Sequence, residues 1–305
     1  MSYKNKISMK TIIKISLALL TVVIIASCKK KETTDESTQN NSTAHLIFKF
    51  KFDSTQVRLN NVGQVAVIPV GHSAQTPKFN KMSAHYIELA PTAFTALGLG
   101  QILYKAPETT IGGSNAIDFN QSLRVAEGET FLSVPISSIA IGTYEWLRVS
   151  LAYQNYDIKY KYNVSGTIGV STGTIASFIG FRTYVQSYTI NTLSVTENAN
   201  KDQGYWGFET FGLTFKGQAP AGATTVPNPL FATSPIPAGS CVVTGAFPSA
   251  LQITGNETSD IIITMSLSTN KSFEWTDVNG DGLYQPDAGD VVTDMGVRGL
   301  IPIVQ

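Results

Sequence analysis

Apolar and polar residues alternate with a period of two in run after run of this chain, and that pattern decides the class of fold. In His45–Asp53 (HLIFKFKFD), Leu46, Phe48, Phe50 and Phe52 take one side and Ile47, Lys49 and Lys51 the other. Successive side chains of a strand point to opposite faces, so this is a half-buried strand. Thr143–Tyr153 (TYEWLRVSLAY) sets Leu147, Val149, Leu151 and Tyr153 on one face, and Asp157–Asn163 (DIKYKYN) sets Ile158, Tyr160 and Tyr162 opposite Lys159 and Lys161. The same reasoning predicts strands at Gln64–Val70, Ala84–Leu89, Phe131–Ile136, Thr183–Ile190, Trp206–Phe215, Ser240–Phe247 and Asp260–Ser268. Only Thr92–Leu99 and Thr174–Phe181 read as short helices. With 25 glycines and 13 prolines to turn the chain, the expectation is an all-β fold, an antiparallel β-sandwich with Greek-key connections and few short helices. The folded part is read as 44–305, either one sandwich or two subdomains, 44–165 and 166–305. No internal repeat is found.

The N-terminal segment follows other rules. Lys4, Lys6, Lys10 and Lys14 precede an uncharged apolar run, Ile15–Ala26. A basic start, a short apolar stretch and small residues describe a secretory signal peptide, here 1–27. The run is shorter than the about 20 residues that span a bilayer. Its end, Ile25-Ala26-Ser27-Cys28, resembles the lipobox of bacterial lipoproteins. That resemblance implies cleavage before Cys28, a diacylglycerol thioether on its sulfur and an acyl chain such as palmitate on its amino group. Residues 29–43 (KKKETTDESTQNNST) hold no aliphatic or aromatic side chain; such a stretch cannot offset its ordering entropy, so 28–43 reads as a disordered tether. Glu32, Asp35 and Glu36 resemble an acidic form of the signal that outer-membrane lipoproteins of the Bacteroidota carry behind their cysteine. The resemblance implies an outer-membrane anchor and exposure at the cell surface.

Charge and cysteine content exclude some classes. Removing the four lysines of 1–27 from 22 basic residues leaves 18 against 22 acidic, a net charge of −4. That balance offers no footprint for nucleic acid. With Cys28 lipidated, Cys241 has no partner for an intrachain disulfide, and its apolar run (SCVVTGAF) predicts a buried, unreactive thiol. Gly217–Ser240 carries five prolines and no charge, and its Val226, Leu230, Phe231 and Ile236 predict an ordered loop packed across one end of the sandwich. At Gly142–Leu151 (GTYEWLRVSL) the chain resembles the G-T-Y strand of β-sandwich lipoprotein domains in the Bacteroidota, including the copper-associated MbnP-like domains. This supports the fold and supplies no copper site, since no histidine or methionine cluster stands beside it.

Searching for chemistry leaves one strong motif. There is no zinc His-Glu-x-x-His, no Gly-x-Ser-x-Gly elbow and no glycine-rich phosphate loop. The three histidines, His45, His72 and His85, would need to converge to hold a metal. Glu88, Glu108, Glu145 and Glu209 lie in strand-like surroundings and are candidates for a hydrolytic carboxylate pair. Trp146, Tyr205, Trp206 and Trp275 sit in or beside strands; on an outer face they would stack on a glycan or a partner protein's surface. Asp277–Asp290 (DVNGDGLYQPDAGD) is the motif that stands out. Asp277, Asn279 and Asp281 occupy positions 1, 3 and 5 and Gly282 position 6 of D-x-[DN]-x-[DN]-G, which opens an EF-hand-like calcium loop. Oxygen donors at alternate places converge on one cation when the backbone curls, glycine permits the sharp turn, and the carbonyl of Leu283 adds a ligand. The usual closing carboxylate falls on Ala288, so the loop is read as enlarged, with Asp290 closing it and Asp287 assisting. Four acids at this spacing repel one another without a cation, and the ion is expected to staple a hairpin rather than catalyse.

The sequence therefore predicts a lipid-anchored β-sandwich of the outer membrane, stabilised by structural Ca2+, with a ligand- or partner-binding or structural role. It leans away from an enzyme. Two other classes stand beside it: a surface polysaccharide hydrolase and a copper-handling accessory protein.

Overall fold

A 23-residue strand, Gly142–Val164, is the spine of the molecule. The computed structural model describes residues 40–59, 65–219 and 239–305; the signal peptide, Cys28 and most of the proline-rich loop lie outside them. In chain order the strands are β1 (His45–Asp53), β2 (His72–Gln75), β3 (Lys78–Ala90), β4 (Gln101–Lys105), β5 (Glu108–Thr109), β6 (Ala116–Asp118), β7 (Thr130–Pro135) and β8, the spine. They continue as β9 (Thr167–Phe178), β10 (Arg182–Thr189), β11 (Ser194–Asp202), β12 (Tyr205–Thr210), β13 (Leu213–Gln218), β14 (Cys241–Ile253), β15 (Ile261–Ser268), β16 (Phe273–Thr276), β17 (Val291–Asp294) and β18 (Arg298–Val304). Strand makes up 60 % of the structure and helix 4 %, so the all-β reading holds.

The large sheet runs β13-β12-β9-β8-β3-β4, with β14 also on β8. β3 pairs with Trp146–Asp157 along one edge of β8. The other edge is shared: β14 takes Gly142–Leu151 and β9 takes Tyr153–Val164. Over its first half this sheet packs against a second one, β18-β15-β1-β7. Leu46, Phe48 and Phe50 of β1 and Ile263, Met265 and Leu267 of β15 meet Leu147, Val149 and Leu151 of β8 and Ile87 and Leu89 of β3 in the main core. None of the four covering strands follows another in the chain, so each is entered from elsewhere, the crossing connectivity of a sandwich. The pairing is not wholly antiparallel: β1 lies parallel to β15 and β6 parallel to β10.

Over its second half the large sheet is covered on both faces. β11-β10-β6-β5 lies on one side, around Phe119, Tyr153, Phe178 and Tyr188. β17-β16-β2 lies on the other, around Tyr156, Ile158, Phe273 and Trp275. Two bulges make this possible. Ser83 and Ala84 of β3 oppose Tyr153 and Leu151, leaving Ala152 as an extra residue; Ala84 and Tyr86 then oppose Leu151 and Ser150, leaving His85 extra. An inserted residue reverses which side chains face inward. Hence Leu147, Val149 and Leu151 join the main core, whereas Tyr156 and Ile158 meet β16. The Ala152 carbonyl accepts the N–H groups of Ile179 and Gly180.

Several expectations are corrected. Thr143–Tyr153 and Asp157–Asn163 belong to one strand, because a bulge breaks the period but not the pairing. Trp206–Phe215 is two strands joined through Phe211-Gly212. Thr174–Phe181 is no helix: Thr174–Phe178 continues β9, and its unbroken apolar run reflects burial on both faces. Thr92–Leu99 forms turns, and the helices among the described residues are three 3-10 turns at Phe119–Gln121, Ile136–Ser138 and Pro286–Ala288. Residues 65–70 form no strand beyond a single bridge from Val65 to Leu59, and Val67 is 84 % exposed. Asn40–Thr43, read as the end of the tether, are fastened down: Asn40 Nδ2 donates to the carbonyls of Ile136 and Ile139, and Ser42 Oγ to that of Glu257. Residues 40–305 form one compact unit, and a division at 165/166 would fall in the tight β8–β9 turn, where Ser165 and Gly166 have φ of 51° and 83°.

A polar clasp on the outer sheet gives this fold an acid-sensitive point. Glu197 of β11 is reached by Lys201, by Lys216 Nζ at 2.9 Å and by the Tyr205 hydroxyl at 2.6 Å. Burial works against its charge, but those partners prevail and pull its pKa from 4.5 down to about 2. A depressed carboxylate contributes stability above its unfolded pKa and loses it as pH falls through the folded one. The contribution should be complete above about pH 4.5 and vanish toward pH 2. Glu197→Gln should flatten the acid limb of a stability-versus-pH curve, and a limb identical to wild type would show that the clasp contributes nothing.

Candidate functional site

The hairpins β8–β9 and β12–β13 and the segment Asp277–Asp290 enclose a cleft of ≈ 630 Å3. Tyr160 and Tyr162 reach it from β8, Phe208 from β12 and Phe215 from β13. They share a face because period two places even-numbered β8 residues there, and Phe208 pairs with Phe215. The rings lock edge to face: Tyr160 and Phe208 lie 5.3 Å apart and Tyr162 and Phe211 5.2 Å apart, both at 84°. Tyr284, Pro286 and Val291 close the opposite wall. Polar groups are few: Tyr160 OH bonds Thr210 Oγ1 at 2.8 Å, and Asp287 Oδ2 accepts the Asn163 N–H at 3.2 Å.

The loop itself is held from within. Asp277 Oδ1 accepts the N–H of Gly280 (2.9 Å), and Oδ2 accepts the N–H of Gly282 and the hydroxyl of Ser73 (both 2.8 Å). Burial opposes its charge, yet these donors keep its carboxyl below the usual range. Asn279 Oδ1 accepts from Asp281 N, and Asp281 Oδ1 from Leu283 N. Asp290 is buried and ties the two ends of the loop together, accepting Val278 N on one oxygen (3.0 Å) and Gln285 N on the other (2.7 Å). Tyr284 is pushed up to about 12 by burial and by the neighbouring Asp290 charge. One residue the motif did not foretell is Lys161, whose Nζ lies 2.6 Å from Asp281 Oδ2. Its ammonium, with the Leu283 N–H, holds the Asp281 carboxyl low.

Oxygen donors therefore stand at positions 1, 3, 5 and the closing place, on a backbone curled by Gly280 and Gly282 with φ of 70° and 75°. This fits the type and spacing of a calcium loop. Two observations qualify the charge argument. Lys161 and the backbone N–H groups already balance the acids, and no group of three or more His, Cys, Asp or Glu side chains converges on a metal position among the described residues. Asp287 turns to Asn163 on the β8 hairpin rather than into the loop.

The other candidates separate. His45 lies beside Asp260, His72 Nδ1 is 2.5 Å from Glu274 Oε1, and His85 Nε2 is 2.9 Å from Glu108 Oε1, so each histidine has its own carboxylate. His85 is buried, which lowers its pKa despite Glu108. Glu88 is fully buried and holds the N–H groups of Gly98 and Gly100, with Arg148 NH1 3.7 Å away. Glu209 holds the N–H groups of Asn191, Thr192 and Leu193 and the Thr192 hydroxyl. Glu145 is exposed. Glu88 and Glu209 thus fasten loops. Cys241 is buried, as expected; Trp275 is core, while Trp146 and Trp206 are half-buried.

No protein-family model, curated protein or solved structure matches this chain. Its chemistry is therefore read from its own residues. Tyr160 and Tyr162 were visible in the sequence as one face of a strand; their convergence with Phe208 and Phe215 was not, since it depends on how two separate hairpins pair.

Proposed function

We propose that this chain is a lipid-anchored, calcium-stabilised β-sandwich lipoprotein of the outer membrane that takes an apolar, ring-bearing ligand into the cleft beside Tyr284. The observation that carries the reading is the cleft: its volume of ≈ 630 Å3 lies within the few hundred to about 1,000 Å3 typical of small-molecule sites. Aromatic walls with few polar groups select a ligand by shape and desolvation. The anchor rests on the lipobox ending at Cys28, and calcium on the donors Asp277, Asn279, Asp281, the Leu283 carbonyl and Asp290. Calcium would stiffen the wall that carries Tyr284, and to reach Asp281 it would displace Lys161.

N-phenyl-1-naphthylamine, an uncharged fluorescent ring compound, should bind one per chain, and Phe208→Ser should abolish the signal at unchanged fold. Wild-type signal in Phe208→Ser would remove the cleft from the proposal. Free calcium at 100 times its dissociation constant should add about 2.7 kcal/mol of stability by linkage, and Lys161→Met should tighten calcium binding. Unchanged melting in calcium and EDTA, in wild type and Lys161→Met alike, would leave the loop a hydrogen-bonded turn. Alkyne-palmitate labelling of wild type and not of Cys28→Ala tests the anchor.

A further inference from the structure

The opposite face of the large sheet carries a second cleft of different chemistry. Past the end of β10 lies a polar hollow of ≈ 770 Å3. Its floor is built by Asn80 of β3, Asn155 and Asp157 of β8, and Thr172 and Thr174 of β9. These side chains are already organised. Asn80 Nδ2 donates to Asn155 Oδ1 at 3.1 Å and to Asp157 Oδ1 at 3.0 Å, and Thr174 Oγ1 donates to Asp157 Oδ1 at 2.8 Å. Asn155 Nδ2 is tied to the Ile190 carbonyl at 2.8 Å. Asp157 Oδ2 accepts no hydrogen bond from a described residue and remains open for a ligand. Lys78 and Lys81 stand exposed at the rim, and Phe211 at another edge is 63 % exposed. Phe211 has φ of +49° and Gly212 φ of 69°, the geometry of the two-residue turn that joins β12 to β13.

We propose that this cleft binds an oligosaccharide, through hydrogen bonds from sugar hydroxyls to Asn80, Asp157 and Thr172 and stacking of a ring on Phe211. A hydroxyl both donates and accepts, so it satisfies an amide, a carboxylate and a threonine side by side. Three strands at about 4.8 Å spacing make a floor about 10 Å wide, suited to two linked rings. Competing ligands fit less well. An apolar molecule would leave the floor's polar atoms unpaired. A phosphate would meet Asp157 and Glu209 as well as the two lysines. An extended peptide binds through the backbone groups of an open strand edge, whereas this floor is made of side chains on the face of the sheet. The cleft binds without cleaving, because Glu209, the second carboxylate, is consumed by four donors of the 191–193 loop that forms its wall.

The test uses the acylated or tag-purified mature chain on an array of plant, animal and bacterial oligosaccharides, followed by calorimetry with each sugar retained. At least one neutral oligosaccharide should bind and remain intact. Asp157→Asn and Thr172→Val should each weaken it about tenfold or more while naphthylamine binding in the apolar cleft is unchanged, which separates the two sites. Phe211→Asn should weaken the sugar as well and suit the turn's backbone; because Phe211 also packs on Tyr162 beside the apolar cleft, the separation of the two sites is read from the other two variants alone. An empty array, a sugar whose affinity survives all three substitutions, or release of shorter sugars would each overturn the proposal.

Discussion

Glu274→Ala is expected to cost about 3–5 kcal/mol of stability, since it strips one partner from a buried ionic cluster. Glu274 of β16 meets Arg58, which reaches in from the segment after β1, and its other oxygen meets His72 of β2. Arg58 also lies 3.8 Å from Asp294 of β17, and Asp294 is 2.9 Å from Arg298 of β18. Five charged or ionisable side chains from five parts of the chain thus meet in one place. Burial raises the Asp294 pKa even against Arg298 and Arg58, a sign of how little water reaches the cluster. With Glu274 gone, Arg58 keeps its Nε bond to the Lys271 carbonyl (3.2 Å) and the longer contact with Asp294, and the loss of its close carboxylate in a site with little water is what makes such truncations severe. Glu274→Gln, which keeps the shape and one acceptor, should cost distinctly less. Urea unfolding should show the midpoint moving at unchanged slope. A loss below about 1 kcal/mol for the alanine variant would mean that water solvates the cluster freely.

Trp275→Ala should be comparably severe, about 3–5 kcal/mol, because it empties a fully enclosed indole site. Trp275 stands in a chain of rings that begins beside the main core and ends at Tyr284: Phe52 to Phe79 (5.1 Å), Phe79 to Tyr156 (5.0 Å), Tyr156 to Phe273 (6.4 Å), Phe273 to Trp275 (5.9 Å) and Trp275 to Tyr284 (5.7 Å). Tyr284 belongs both to the 277–290 loop and to the wall of the apolar cleft. Loss of the indole should therefore weaken naphthylamine binding as well as stability, whereas Glu274→Ala should lower stability alone. Full ligand affinity in a folded Trp275→Ala protein would show that the cleft wall stands independently of the core.

The strands that face one core on one side were legible, as in β1, where Leu46, Phe48 and Phe50 enter the core and the lysines do not. Strands buried on both faces were not. Ile175 meets Trp275's cluster while Ala176 and Phe178 meet the opposite one, so the period disappears and the run resembles a buried helix. The Ala152 bulge hid the continuity of β8 in the same way, by inserting one residue into an otherwise regular alternation. Val65 and Val67 show the converse error, alternation without a partner sheet among the described residues. For the site, the curl of the 277–290 loop was legible because its Asp, Asn and Gly residues lie within one short segment. Lys161 was not, being 120 residues from Asp281 in sequence. The polar cleft was invisible for a similar reason: Asn80, Asp157, Thr174 and Glu209 come from four strands, and each alone reads as an ordinary solvated side chain.

The parallel pairing of β1 with β15 has a consequence for how this molecule comes into being. Leu46 lies opposite Ile261, so the first strand to emerge cannot complete its sheet until nearly the whole chain is available. Closing so long a loop has to precede the contacts that reward it, and topologies dominated by such distant pairings fold in milliseconds to seconds rather than microseconds. Until then an apolar strand, HLIFKFKFD, can be covered by β7 on one edge while the edge meant for β15 stands open, the species most prone to associate with another copy. Its Lys49 and Lys51, which alternate with the phenylalanines, act in that interval as gatekeepers, charging one face of a strand that would otherwise be adhesive on both.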